Sequence, residues 1–163
     1  MLFSFVTPRL VIQPIENAAS IEPEAIVKTL TPKATAQLPS DWQTINTMQA
    51  AQAWLTQRLV EGMVYKILEK NSRELIGFLF LYEMKNSIGM DMRLGYLLSE
   101  QYWGKGLGNE LINGLITECR HQDVTTLIAG VTKENVASAK VLTKNGFILK
   151  ECEGETEFYE YRF

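Results

Sequence analysis

Trp103-Gly104-Lys105-Gly106-Leu107-Gly108 stands between a strand-like run, Leu94 to Ser99, and an amphipathic stretch, Leu107 to Cys119. In that stretch Leu107, Leu111, Ile112, Leu115, Ile116 and Cys119 recur at i, i+4, i+5, i+8, i+9 and i+12, which predicts a helix with one buried face. The first amides of a helix lack intrahelical partners and lie at the positive end of its dipole. Glycines at such a junction let an anion reach the main chain without side-chain obstruction. The segment is therefore read as a pyrophosphate cradle. A nucleoside-triphosphate loop, GxxxxGK[ST], is excluded because Asn109-Glu110 follows Gly108. The dinucleotide fingerprint GxGxxG fails too, since its third glycine falls on Asn109 or Leu111.

Working outward, the preceding strand is expected over Met90 to Ser99. After the helix come a strand at Thr125 to Val131, a helix from Asn135 to about Lys144 with Gly146 as its stop, and two closing strands, Phe147 to Cys152 and Glu157 to Phe163. Upstream, strands are expected at Arg9 to Ile15, Val64 to Leu68 and Glu74 to Glu83, and helices at Glu22 to Leu30 and Asn46 to Glu61. The second of these helices should turn Met48, Ala51, Leu55 and Leu59 inward. Between the two helices, Thr31-Pro32 and Leu38-Pro39-Ser40-Asp41 read as loop. Strands first, helices interposed and a hairpin last imply a mixed α/β (α+β) sheet rather than a doubly wound one.

Bulk properties agree with one domain over residues 1–163: the chain is long enough for a real core, and 46% of it is hydrophobic. No apolar run approaches the ~20 residues that cross a bilayer, and Met1 to Val6 lacks a signal peptide's charged start, so the expected compartment is the cytoplasm, with no membrane partner. Cys119 and Cys152 read as reduced thiols; neither C-x-x-C nor H-E-x-x-H occurs, so no metal is expected. A net charge of -3 without a basic cluster argues against nucleic acid as a partner.

Three motifs in order share a family. The loop fits [RQ]xxGx[GA], with Trp103 in place of Arg or Gln. Thr7-Pro8-Arg9-Leu10-Val11-Ile12-Gln13-Pro14 is similar to T-x-R-L-x-L-R-P, departing at Gln13. Asn135-Val136-Ala137-Ser138, followed by Val141-Leu142-Thr143-Lys144-Asn145-Gly146-Phe147, is similar to N-x-x-S…VL-x-K-x-GF. Together they resemble the GCN5-related N-acetyltransferases (GNAT), and within them the RimJ/RimL-like ribosomal-protein N-terminal acetyltransferase branch. The resemblance implies a mostly antiparallel sheet with flanking helices, whose two central parallel strands, Met90 to Ser99 and Thr125 to Val131, splay into a cleft for acetyl-coenzyme A. It also implies pyrophosphate contacts over Trp103, Gly104, Lys105, Gly106, Leu107, Gly108 and Asn109. The pantetheine arm would run along Tyr96, Leu97 and Leu98, with the Leu98 amide on the arm and the Tyr96 amide on the acetyl carbonyl, where it would stabilise an oxyanion.

Attack of a neutral amine on a thioester needs a proton acceptor and a donor to the leaving thiolate. Ser138, with Asn135 on the same side, is the candidate donor beside the sulfur. The tyrosine that many family members carry four residues before the motif's final glycine is Leu142 here. The glutamate that several carry on the strand before the loop is replaced within Asp91-Met92-Arg93. Asp91 and Glu83 remain as candidate bases, or solvated strand ends, with solvent as the alternative acceptor. Arg93 reads as an acceptor contact or an exposed strand residue, Trp103 as a packing anchor, Lys105 as a phosphate contact or a solvated side chain, and His121 as a helix C-terminal cation. Acceptor specificity is expected in Thr31 to Trp54, with Trp54 packing and Trp42 either packing or lining a pocket. The resulting function is acetyl transfer to a primary amine, a protein N-terminal α-amine or a small molecule such as a polyamine or antibiotic, by a monomer or homodimer. A non-catalytic acyl-coenzyme A-binding module is the competing class.

Overall fold

The computed structural model describes residues 2–85 and 88–163. Twelve elements follow one another: β1 (Phe5–Val6), β2 (Leu10–Pro14), α1 (Pro23–Thr29), α2 (Met48–Glu61), β3 (Met63–Glu69), β4 (Leu75–Lys85), β5 (Met90–Leu98), α3 (Leu107–Cys119), β6 (Val124–Thr132), α4 (Val136–Lys144), β7 (Ile148–Glu153) and β8 (Thr156–Arg162). The strands form one sheet in the order β1-β2-β3-β4-β5-β6-β8-β7. Every neighbouring pair is antiparallel except β5 and β6.

The central strand β4 explains the layering. Its run Ile76-Gly77-Phe78-Leu79-Phe80-Leu81 is apolar at both parities, so both faces of the sheet are covered. Leu79 and Leu81 join Leu10, Ile12, Met92, Leu94 and the predicted face of α3 (Leu107, Leu111, Ile112, Leu115, Ile116, Cys119) on one side. Phe78 and Phe80 meet Trp42, Ala51, Trp54, Leu55, Ile26 and Leu30 under α1 and α2 on the other. At ~1.5–3 kcal/mol for each fully buried large apolar side chain, these two layers hold the fold.

One expectation about packing is corrected and one open reading is decided. Met48, expected inward on α2, is 56% exposed. Thr47 caps the helix by accepting from the Ala50 amide, and this start turns Ala51, Trp54, Leu55 and Arg58 to the core instead. Trp42, left open between pocket and core, is a core residue, 8% exposed, edge-on to Trp54 at 5.4 Å and tilted against Phe80 at 4.9 Å. The Arg58 guanidinium lies 5.0 Å from the Trp42 ring centre and pairs with Asp41 and Glu61. The two-residue β1 was not anticipated, being too short to show alternation. No helix among the described residues is long and apolar enough to cross a membrane. Met1, the first residue of the expected signal-free start, lies outside the described residues.

Candidate active site

The parallel ladder between β5 and β6 runs from Met90–Val124 to Leu94–Ala129 and stops there, although β5 continues to Leu98 and β6 to Thr132. The central strands therefore splay, as the resemblance implied. The Ser99 amide donates to the Ile76 carbonyl in β4. Backbone direction alternates along a strand, so the Tyr96 and Leu98 amides turn the other way, into the opening. A cleft of about 430 Å³ fills this opening. Its walls include Tyr96, Leu97, Leu98, Trp103, Gly104, Gly106, Leu107, Gly108, Asn109, Asn135 and Ser138, nearly all of the sequence-derived cofactor set.

Gly106 is the N-cap of α3 at φ +78°, and Gly104 has φ +70°. Both lie in the left-handed region that glycine enters without strain. A Cβ at Gly104 would meet nothing within 4 Å, so the main chain there is bare. These residues fit a diphosphate held by backbone amides. Trp103 is an anchor: its indole Nε1–H donates to the Leu98 carbonyl at 2.8 Å, tying the loop to the end of β5.

The loop is braced from a distance by residues whose role was not read from the sequence. The Glu110 carboxylate, in the first turn of α3, accepts from the Thr7 hydroxyl at 2.6 Å, the Arg9 amide at 2.7 Å and Arg9 Nε at 2.7 Å. Arg9 Nη1 donates to the Lys105 carbonyl at 2.9 Å. Burial alone would raise the Glu110 carboxyl, but the Thr7 and Arg9 hydrogen bonds and the Arg9 charge hold it below the usual carboxylate range. Lys105 is the one cofactor-set residue outside the cleft wall; its Nζ lies 5.3 Å from the Tyr102 ring centre. Lys33, from the loop between α1 and α2, lines the cleft instead, 5.9 Å from the Trp103 ring. Part of the expected acceptor-specificity stretch thus lines the cleft beside the glycine loop.

A second cavity of about 410 Å³ opens beyond, walled by Leu94, Gly95, Ala129, Gly130, Val131, Thr132, Leu142 and Thr156. Gln37, Leu38, Tyr96, Asn135 and Ser138 belong to both cavities. Gln37 spans the junction, its amide oxygen accepting from the Thr132 hydroxyl at 2.8 Å. Asn135 caps α4 by accepting from the Ser138 amide at 3.2 Å, which fixes the first turn and presents Ser138 to the cleft. The Tyr96 phenol reaches across to Ser138 Oγ at 3.3 Å. Burial raises the Tyr96 pKa, partly offset by the hydrogen bond with Ser138, so the phenol keeps its proton at neutral pH.

Glu83 and Asp91 are not brought to this junction. Glu83 pairs with Met92 and Asp91 with Met84, whereas Tyr96 pairs with Leu79. Four or five residues at ~3.3 Å each put them more than about 13 Å along the sheet from Tyr96. Asp91 accepts from the Thr125 hydroxyl at 2.9 Å, and Glu83 is exposed. Arg93 stacks on Phe158, 5.5 Å from its ring centre. Leu142, at the missing tyrosine's position, is fully buried. Among the described residues, no group of His, Cys, Asp and Glu is arranged to hold a metal.

The site thus comprises a splayed parallel pair over a glycine-capped helix, with a second cavity across a hydroxyl pair. Residues 9–148 match the family model described as acetyltransferase (GNAT) domain. The chain belongs to the GNAT acetyltransferase family. No curated protein matches it by sequence. Among solved structures it is similar to a GNAT-family acetyltransferase from Bacillus anthracis (15% identity, 98% of each chain, TM-score 0.80). It is also similar to RimL, a ribosomal L7/L12 α-N-protein acetyltransferase, in complex with coenzyme A (18% identity, 97% of this chain and 96% of that one, TM-score 0.77). A third is the microcin C7 self-immunity acetyltransferase in complex with acetyl-coenzyme A and AMP (15% identity, 96% and 93%, TM-score 0.74). At these identities the likeness establishes the fold.

Proposed function

We propose that this protein transfers the acetyl group of acetyl-coenzyme A to a primary amine, with a protein N-terminal α-amine as the first candidate acceptor. The observation that carries the reading is the meeting of two cavities at Tyr96 and Ser138, one floored by the glycine loop and the other open beyond the splay. The loop amides from Gly104 to Asn109 hold the pyrophosphate, and Lys33 adds a nearby cation. The Leu98 amide takes the pantetheine arm, and the Tyr96 amide stabilises the oxyanion that develops as the amine attacks the thioester. Ser138 gives its proton to the departing thiolate. The RimL neighbour favours a protein N-terminus, and the microcin immunity enzyme keeps a small molecule as the alternative.

One observation favours the competing class. No carboxylate lines either cavity among the described residues, so a general base of the usual kind is lacking, and a non-catalytic acyl-coenzyme A-binding module is the second reading. The test is thiol release from acetyl-coenzyme A across a panel of N-terminal peptides, polyamines and aminoglycosides. Release with peptides supports the first reading, release with small amines alone the alternative. Coenzyme A binding without release on any amine replaces both with the binding module.

A further inference from the structure

We propose that the Tyr96 side chain and Ser138 form a two-hydroxyl relay that carries the acceptor's proton to the leaving thiolate, so that no carboxylate base is needed. The inference rests on the acetyl-transfer reading above and gives the Tyr96 phenol a role distinct from that of its backbone amide.

The position of the phenol is set by elementary strand geometry. On β5, Met92, Leu94, Tyr96 and Leu98 alternate onto the face covered by α3 and α4, so the Tyr96 ring must lie under the first turn of α4. Its ring is bounded by the glycine loop: a Cβ at Gly108 would stand 3.7 Å from it and equally far from Val141. The Tyr96 hydroxyl meets Ser138 Oγ at 3.3 Å, and the two side chains stand where the coenzyme cavity and the second cavity join. This distance is long for two hydroxyls, as catalytic hydrogen bonds often are without substrate.

Along the relay, protons and charges balance. The neutral amine's lone pair forms the C–N bond, and the carbonyl π electrons move to oxygen at the Tyr96 amide. As the oxyanion's electron pair returns to re-form the C=O bond, the C–S bond breaks with its electrons passing to sulfur, and one proton on the new ammonium nitrogen moves to Tyr96 Oη. The Tyr96 proton moves to Ser138 Oγ, and the Ser138 proton to sulfur. Both hydroxyls end as they began, and the products are a neutral amide and a free thiol. Because burial disfavours the phenolate, Tyr96 must give and take its proton together, which is what a relay demands.

The test compares Tyr96→Phe, Ser138→Ala and the double variant with the wild-type protein, using the acceptor found in the panel. Tyr96→Phe keeps the ring that packs against Gly108 and Val141. The expected result is a fall in kcat of at least about tenfold for each single variant. The acetyl-coenzyme A KM and the calorimetric coenzyme A affinity should stay within about twofold of wild type. The double variant should be no slower than the slower single one within about twofold, because breaking a chain at either link breaks all of it. Wild-type kcat in Tyr96→Phe, or losses that multiply in the double variant, overturn the relay and leave the acetyltransferase reading standing. A wild-type protein that binds coenzyme A and acetylates no amine overturns both.

Discussion

Replacing Gly106 by alanine separates what the loop conformation contributes to folding from what it contributes to binding. Gly106 caps α3 at φ +78° and ψ 10°. An L-residue with a Cβ in this left-handed region is disfavoured by about 1–2 kcal/mol. Crowding adds little, because the new methyl would meet only Arg9 Nη2, at 3.6 Å. In the free protein the strain is relieved only if the loop leaves this conformation, and the amides then no longer converge on an anion. Bound coenzyme A restores the conformation and the strain with it. The loss of stability without ligand and the loss of coenzyme A affinity should therefore sum to about 1–2 kcal/mol. Carried wholly by the fold, that is a fall in Tm of about 2–8 °C for a domain of this size. Carried wholly by binding, it is a rise in Kd of about 5–30-fold. Thermal unfolding of the free protein and calorimetric titration with coenzyme A measure the two parts. A variant unchanged in both refutes the assignment of this loop. Gly108→Ala is the control, since that residue is helical and a methyl there makes ordinary 3.7 Å contacts with Tyr96 and Val141, so the helix-propensity gain of up to about 1 kcal/mol should raise Tm by up to about 4 °C.

Three further outcomes are expected. Lys33→Ala should weaken coenzyme A binding severalfold at low salt while Lys105→Ala leaves it near wild type, because only the first lines the cleft; equal effects in titration would contradict this placement. Glu110 has a depressed folded pKa, so its contribution to stability is fully present above the ordinary carboxylate value of about 4.3 and is lost as the pH falls through the lower folded value. Glu110→Gln should flatten that acid limb of a Tm-against-pH curve. Trp42→Ala should destabilise the fold by about 3–5 kcal/mol, seen as a fall in Tm of about 6–20 °C, with coenzyme A affinity retained in the cold. A fully stable variant with altered acceptor kinetics would return Trp42 to a binding role.

What could be read from the sequence is what is local. The α3 face repeats every turn, and its bounds, Leu107 to Cys119, agree with the structure. The strands before and after it differ by a residue at their ends. The loop at the start of α3 was legible because its constraint, a bare main chain at a helix start, is written in glycines at alternate positions. Partners far apart in the chain were not. Thr7 and Arg9 meet Glu110 across about a hundred positions, and nothing near either end of that span says so. Trp42 lies in the loop between two periodic stretches, so no repeat marks it as buried; Arg58, on α2, supplies the cation that covers its ring. Alternation along β5 assigns Tyr96 to a face but cannot name Ser138, which comes from the next helix but one strand. Glu83 and Asp91 were chosen by type and by nearness in sequence, whereas the junction sits at the other end of the strand that carries Asp91.

The early end of the β5–β6 ladder divides the sheet into two blades, β1 to β5 and β6 to β8, joined along a short seam below Leu94 and Ala129. A molecule lying in the opening clips the blades together. Saturation at a hundred times Kd adds about 2.7 kcal/mol to stability, or about 5–11 °C in Tm. The outward-turned amides of Tyr96 and Leu98 should then exchange their hydrogens more slowly than in the free protein. Under the proposed acetyl transfer, the acetyl donor would enter and the spent thiol would leave by this same opening.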